Sequence, residues 1–358
     1  MKKILCLIDS LGPGGAQRQL VGLASFLKER SYDVMVVAYH DNRFYVDQLL
    51  SNGVPYVYLK KAKRPYLRIW HIGRYIRKVK PDVVISYLET PSICACVARF
   101  FNHRFKLLVS ERNTSQHTGR NEKIRFHLFR LSDYVVPNAY SQEDYIKTTF
   151  PKLTEKTITI PNFVDLVHFT PNYKQRRNRP EIMVAATIWA SKNTLGFVDA
   201  VARLKESDCS FHISWYGRDK LHQDYFNACQ AKIDQYGIGD FIELKEKTTQ
   251  IKSCYQVADY FCLPSFYEGT PNVICEAMAC GLPIACSDVC DNSKYVIEGE
   301  NGFLFNPHDE VSVFHALMRL LSLTDGEYEG FCTKSRKIAE EKLSKENFVQ
   351  SYIKLIEK

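Results

Sequence analysis

Short apolar runs alternate with stretches of helical period along most of this chain. In the first half, residues 3–8, 33–38, 55–59, 82–87, 106–110, 134–137 and 157–160 have the length and β-branched content of strands. Between them, segments such as 16–30 and 67–79 have helical length. In the second of these, Ile69, Ile72, Ile76 and Val79 form one apolar stripe. This alternation predicts βαβ units and a parallel sheet. Residues 160–180, IPNFVDLVHFTPNYKQRRNRP, are rich in Pro, Asn and charge and have no sustained period, so they read as an interdomain linker. A second alternation follows, with strands expected at 181–187, 211–216, 241–244, 260–263 and 283–286. Helices are expected at 311–323, 328–342 and 345–357. The expected fold is therefore α/β, with two Rossmann-like, doubly wound domains. Such domains bind ligands at the carboxyl ends of their strands, which predicts a cleft between the two halves.

A length of 358 residues suits two such domains. The start, Lys2-Lys3 before an apolar run, is like a signal peptide. That run is short and meets Asp9, so a buried strand is the expectation. No stretch approaches the roughly 20 apolar residues of a membrane span. The twelve cysteines include no CxxC pair, and no His pair completes a zinc site, so the reading is a reducing cytoplasm and no metal. The net charge of +8 is uneven: residues 1–170 carry +12 and residues 171–358 carry −4. A basic first half predicts an anionic partner, with nucleic acid, anionic lipid and a phosphorylated substrate all open.

Chemistry concentrates in SFYEGTPNVICEAMACGLPIACSD, residues 265–288. Glu276 stands among Val273, Ile274, Cys275, Ala277 and Met278, where an unanswered charge is costly. Thr270 as cap and Pro271 at the first turn predict a helix start, and Gly281 with Pro283 predicts its stop. Glu268 precedes that helix. Helix N–H groups at Asn272 and Val273 can receive an anion or a sugar oxygen, and a carboxylate can accept both hydroxyls of a ribose diol. On spacing alone the pair is a weak signal, and the plainer reading is Glu276 paired with a buried Arg or Lys and Glu268 a solvated loop residue.

The residues Glu268, Gly269, Pro271, Asn272, Glu276, Ala277, Gly281 and Pro283 resemble the donor-site signature of the family-4 glycosyltransferases of GT-B fold. SLGPGGAQRQL at 10–20, IPNFVD at 160–165 and VIEGENGFLF at 296–305 are similar to that family's glycine loop, hinge and post-donor stretch. The resemblance implies an acceptor-side domain at 1–165, a nucleotide-sugar domain at 166–344, and a helix at 345–358 returning to the first domain. It implies retaining transfer from a nucleotide sugar, UDP-linked by preference, to a hydroxyl of a growing glycan. With no DxD motif, no catalytic metal or other cofactor is expected.

By the same resemblance, Glu276 holds the nucleotide ribose, and Glu268, Gly269, Thr270, Pro271, Asn272 and Val273 hold the sugar and phosphates. Lys192 neutralises phosphate charge, while Thr187 stands where relatives usually carry an Arg. Gly14 and Gly15 let the first loop approach the diphosphate or the acceptor, though that loop alone could be a plain βα turn. Its Gly12-x-Gly14 start lacks the sixth-position glycine of a dinucleotide fingerprint, where Gln17 stands. Arg112 occupies the usual place of a histidine near the transferred sugar and could instead contact the acceptor or an anionic group, with Glu111 as its local partner; His117, late in the loop, reads as a surface histidine rather than as the substitute. The basic, aromatic-studded segments 60–80 and 120–130 carry no nucleic-acid motif. They fit an anionic membrane surface and a lipid-linked acceptor, or else solvated faces of docked helices. The implied setting is the cytoplasmic face of a membrane, in O-antigen or capsule assembly. A dinucleotide-dependent oxidoreductase and a non-catalytic nucleotide-sugar or membrane-binding module are the rival readings.

Overall fold

The computed structural model describes every residue except His103, residues 113–117, Tyr173, Lys174 and Asp208. The expectation for His117 thus lies outside the described residues. The chain divides into two compact units, Met1–Phe163 with Lys345–Lys358, and Val164–Ser344.

The first unit holds six parallel strands: β1 (Lys3–Leu7), β2 (Asp33–Ala38), β3 (Tyr56–Tyr58), β4 (Val83–Tyr87), β5 (Lys106–Glu111) and β6 (Tyr134–Pro137), in the order β3-β2-β1-β4-β5-β6. Alternate residues of β1 feed opposite cores, as strand geometry requires. Ile4 and Cys6 meet Leu20, Leu23 and Leu27 of helix Gly15–Glu29 and Val349 and Tyr352 of helix Lys345–Glu357. Leu5 and Leu7 meet Ile72, Ile76, Cys94 and Phe126 on the other face. Two covered faces explain why these strands read as continuous apolar runs.

Two expectations change here. Residues 157–160 do not form a strand: Thr157 makes one isolated bridge to Val135. Beyond it, Ile158 and Ile160 donate to the Val135 and Pro137 carbonyls, but Pro137 has no N–H with which to return a bond; the outward Thr159 N–H donates to the Glu143 carboxylate at 3.0 Å. The apolar stripe of helix Pro65–Val79 is also shorter than its spacing suggests. Burial begins at Ile72, while Ile69 is 40% exposed and Tyr66 and Trp70 are on the surface.

The second unit repeats the winding with β7 (Glu181–Ala185), β8 (His212–Arg218), β9 (Ile242–Glu246), β10 (Tyr260–Leu263), β11 (Ile284–Ser287) and β12 (Gly302–Phe305), ordered β12-β11-β10-β7-β8-β9. The pattern did not predict β12, which is four residues long and opens on glycine. A Cβ on Gly302 would lie 2.1 Å from the Ile284 carbonyl oxygen, so no side chain fits there. In each unit the strand order reverses at one place, between β1 and β4 and between β7 and β10. That reversal opens a crevice at the carboxyl ends of the strands.

Among the described residues no helix is long and apolar enough to cross a membrane. Nor, among the described residues, is any group of three or more His, Cys, Asp or Glu placed to hold a metal.

Candidate functional site

In the second unit the crevice between β7 and β10 gathers most of the chemistry-bearing residues singled out in the sequence. The chain leaving β7 passes Thr187 and turns through a short 3-10 helix, Ala190–Lys192. The chain leaving β10 runs through Ser265 and Glu268 to the helix Asn272–Ala279. The Phe266 N–H donates to the Ser191 carbonyl at 3.0 Å and ties the two loops together. Lys192, 76 positions from Glu268 in sequence, thereby donates to its Oε1 at 2.6 Å. Both side chains are mostly buried, which strengthens such a charge-assisted bond.

Ser265, fully buried at the end of β10, donates to the same Oε1 at 2.6 Å. Two donors on one oxygen restrain the carboxylate. The sequence reading missed Ser265. Its signal was local, since a hydroxyl three residues before a loop carboxylate can turn back onto it.

The helix begins one residue later than expected. Pro271, with φ −75° and ψ 103°, is the cap residue rather than the first helical one. Its carbonyl accepts from Ile274 at 3.1 Å and Cys275 at 3.2 Å. Proline gives up no needed donor there, and Thr270 is buried just before it. The Val273 N–H lies in the first turn, where a helix has no carbonyl of its own to offer, and it follows the Glu268 loop directly. The helix stops as the sequence suggested. Gly281, at φ +73°, donates to Met278 at 2.9 Å and Leu282 donates to Ala277 at 3.0 Å, closing the last turn.

Glu276 is 4% exposed. The Tyr255 hydroxyl, from helix Ile251–Val257, donates to its Oε2 at 3.1 Å and also lies 3.3 Å from the Val273 carbonyl. Tyr255 was also missed, because nothing local in the sequence marks a contact 21 residues away. Burial, and then the charge of Glu276, pushes the neighbouring Cys280 thiol up to about 12.

Thr187 sits where β7 and β8 pinch together. Ala186 donates to Tyr216 and Ile188 to Gly217, both at 3.2 Å. A Cβ on Gly217 would lie 1.6 Å from the Ala186 carbonyl oxygen, so glycine is obligatory at this close approach.

The remaining candidates belong to the first unit. Gly14 is the extended cap residue of the helix that starts at Gly15, one residue earlier than expected. The loop before it folds around Asp9, whose Oδ1 accepts from the Ser10 N–H at 2.5 Å and the Gln17 amide at 3.4 Å. Arg112, just past β5, spends four of its five N–H donors inside its own unit. It donates to Ser110 Oγ, Asn162 Oδ1, Tyr87 OH and Tyr352 OH, each at 2.7 Å. It therefore anchors the helix Lys345–Glu357 to β4. Glu111 turns toward Arg125, whose Nε lies 3.5 Å from its Oε2.

Known proteins are similar along both units. Residues 13–168 match the model for Glycosyltransferase Family 4, and residues 179–323 match that for Glycosyl transferases group 1. The chain is 25% identical, over 90% of its length and 89% of the relative's, to the Campylobacter jejuni enzyme named GalNAc-α-(1→4)-GalNAc-α-(1→3)-diNAcBac-PP-undecaprenol α-1,4-N-acetyl-D-galactosaminyltransferase. It is 21% identical, over 85% and 88%, to the amylovoran biosynthesis glycosyltransferase AmsD of Erwinia amylovora. Among solved structures, a glycosyltransferase from Rickettsia africae superposes with a TM-score of 0.87 at 15% identity, covering 99% of this chain and 98% of that one. Anabaena HepE in complex with UDP superposes with a TM-score of 0.86 at 18% identity, covering 99% of each.

Proposed function

Since the chain belongs to the family-4 glycosyltransferases of GT-B fold, we propose that its second unit binds a UDP-linked hexose or N-acetylhexosamine and transfers the sugar, with retention, to a hydroxyl of a lipid-linked glycan. The observation that carries this reading is the Lys192–Glu268–Ser265 cluster at the crevice between β7 and β10, beside the helix that carries buried Glu276. Glu276 accepts from the ribose hydroxyls, with Tyr255 holding the carboxylate in place. Glu268 Oε2 accepts from a hydroxyl of the transferred sugar. Lys192 and the first-turn N–H of Val273 meet the diphosphate. With Thr187 in place of the usual Arg, Lys192 carries more of that charge.

In the reaction the bond from the anomeric carbon to the diphosphate oxygen breaks, and a bond from that carbon to the acceptor oxygen forms on the same face. The acceptor proton leaves with the diphosphate. The rate advantage lies in positive charge and oriented amides aimed at the leaving group, which are most effective in a water-poor crevice. Gly14, Gly15 and Arg112 belong to the acceptor side in this reading, with Arg112 acting through the position of Tyr87 and Tyr352. The acceptor class is supported by the undecaprenol-linked substrates in the relatives' names. The charge of +12 over residues 1–170 fits work at an anionic membrane surface, on the cytoplasmic side in O-antigen or capsule assembly.

The test is a transfer assay. UDP-glucose, UDP-galactose and their N-acetylamino forms are each incubated with a polyprenyl-diphosphate-linked glycan acceptor, and the anomeric configuration of the product is read by NMR. Transfer with an α-linked product from an α-linked donor is expected. Nucleotide binding with no transfer to any acceptor would favour a binding module, and an inverted product would remove the retaining assignment.

A further inference from the structure

The first unit carries a second concentration of chemistry at the opposite end of its sheet, where the chain enters β4 and β5. Phe100 and Phe101 close the helix Glu89–Phe101 and are 57% and 73% exposed, with their rings edge to face at 5.2 Å. Two adjacent phenylalanines on a surface are not there for the core. Phe101 lines two depressions at once. One, of about 410 Å³, is basic, with Arg77, Lys80 and Arg104 in its lining. The one carboxylate among its described lining residues, Asp82, already accepts the Lys3 N–H at 2.7 Å. Among the described residues none of the three cations is held in an ion pair. The other depression, of about 550 Å³, is largely apolar, lined by Val97, Phe100, Leu128 and Leu131, with Arg130 also in the lining.

A cationic hollow alone would suit any small anion, and an apolar groove alone would suit many partners. Their union across one exposed phenylalanine fits an amphiphile with a phosphate at one end and hydrocarbon at the other. We propose that this end of the first unit is an anionic-phospholipid site. The lipid phosphate sits among Arg77, Lys80 and Arg104. An acyl chain lies along Val97, Leu128 and Leu131, and Phe100 and Phe101 stand at the depth of the membrane interface, where aromatic side chains with basic neighbours are favoured. The proposal rests on the reading that the enzyme works at a membrane and assigns the contact to a defined end of the domain. It sets aside the other exposed aromatic patch, Tyr66 and Trp70, at the far end of helix Pro65–Val79.

The experiment is co-sedimentation of the full chain with vesicles of phosphatidylcholine, alone or mixed with phosphatidylglycerol. The wild type should bind only the mixed vesicles. Since each basic residue at such a surface contributes about fivefold, Arg77→Glu with Lys80→Glu should weaken binding by more than about tenfold. Phe100→Ser with Phe101→Ser should also weaken it, and the loss should persist when the phosphatidylglycerol content is raised. These side chains are exposed, so melting temperature and the nucleotide response of the second unit should be unchanged, which separates failure here from failure of the donor site.

Lys60→Glu with Lys61→Glu makes the same change of charge beside the other patch and should weaken binding much less. An equal loss from that control would mean diffuse attraction and overturn the proposal. So would vesicle binding that survives the phenylalanine substitutions. Inorganic phosphate raising the melting temperature of the wild type and the phenylalanine variant alike, with no vesicle binding, would mark a free-anion site and overturn it too.

Discussion

Tyr255→Phe tests how the buried Glu276 carboxylate is held. The substitution keeps the ring, and with it the contacts to Phe169 and Phe261 at 5.9 and 5.7 Å between centroids. It removes only the hydroxyl that donates to Glu276 Oε2 at 3.1 Å. A hydrogen bond to a charged group contributes about 1.5–3 kcal/mol, and at 4% exposure water cannot readily replace the lost donor. In a unit of roughly 180 residues, each 1 kcal/mol moves the melting temperature by about 2–4 °C, so the unit should melt about 3–12 °C lower. Calorimetry of the variant reads this directly. Glu276→Gln supplies the second side of a double-mutant cycle. With the acceptor neutral, the cost of Tyr255→Phe should fall to the roughly 0.5–1.5 kcal/mol of an uncharged bond. A melting temperature within about 1 °C of wild type, or a cost that ignores the charge at 276, would refute the reasoning.

Arg112→Ala should destabilise the first unit by about 2–4 kcal/mol, because four side-chain acceptors lose their donor together. Limited proteolysis should then cut near Lys345 as the last helix loosens, and an unchanged digestion pattern would contradict the anchor role. Among the cysteines, Cys290 alone is exposed, while burial pushes Cys6 and Cys96 up to about 12. A thiol reagent on the native protein should therefore label Cys290 first, as peptide mapping would show. Glu327 is held below the usual carboxylate range by the hydroxyl and backbone N–H of Thr324, which it caps. Its contribution is complete above the ordinary value of about 4.3 and is lost as pH falls through the lowered folded value. Glu327→Gln should accordingly flatten the acid side of the stability profile measured by denaturant titration.

Much of the fold was legible because buried parallel strands announce themselves. Residues 83–87 and 260–263 are nearly unbroken apolar runs, and both lie fully buried at the centres of their sheets. The failures have physical reasons. Residues 157–160 carry strand-like side chains, and Ile158 and Ile160 do donate to β6, but Pro137 has no N–H to give back, so the ladder stops at one bridge. β12 is four residues long and opens on a glycine that the Ile284 carbonyl demands, which weakens the strand signal of its side chains. Ile69 fits a helical stripe, yet it is 40% exposed, and its turn is tied down instead by Arg68, which donates to the Ala62 and Lys63 carbonyls.

At the site, the glutamates and Lys192 could be named from the sequence, but their union could not. Lys192 and Glu268 meet only because β7 and β10 are neighbours at the reversal of strand order. Ser265 was legible in principle from its spacing to Glu268, whereas Tyr255 became visible only once its helix was folded onto Glu276.

The central claim is that Glu276 and the loops after β7 and β10 bind a nucleotide. The most direct measurement is the melting temperature of the wild type and of Glu276→Ala with UDP, GDP and NAD. A ligand at one hundred times its dissociation constant adds about 2.7 kcal/mol, or roughly 5–11 °C in a unit of this size. The account predicts such a rise with UDP in the wild type and its loss in the variant. A rise with NAD alone, or a UDP response that survives Glu276→Ala intact, would contradict it.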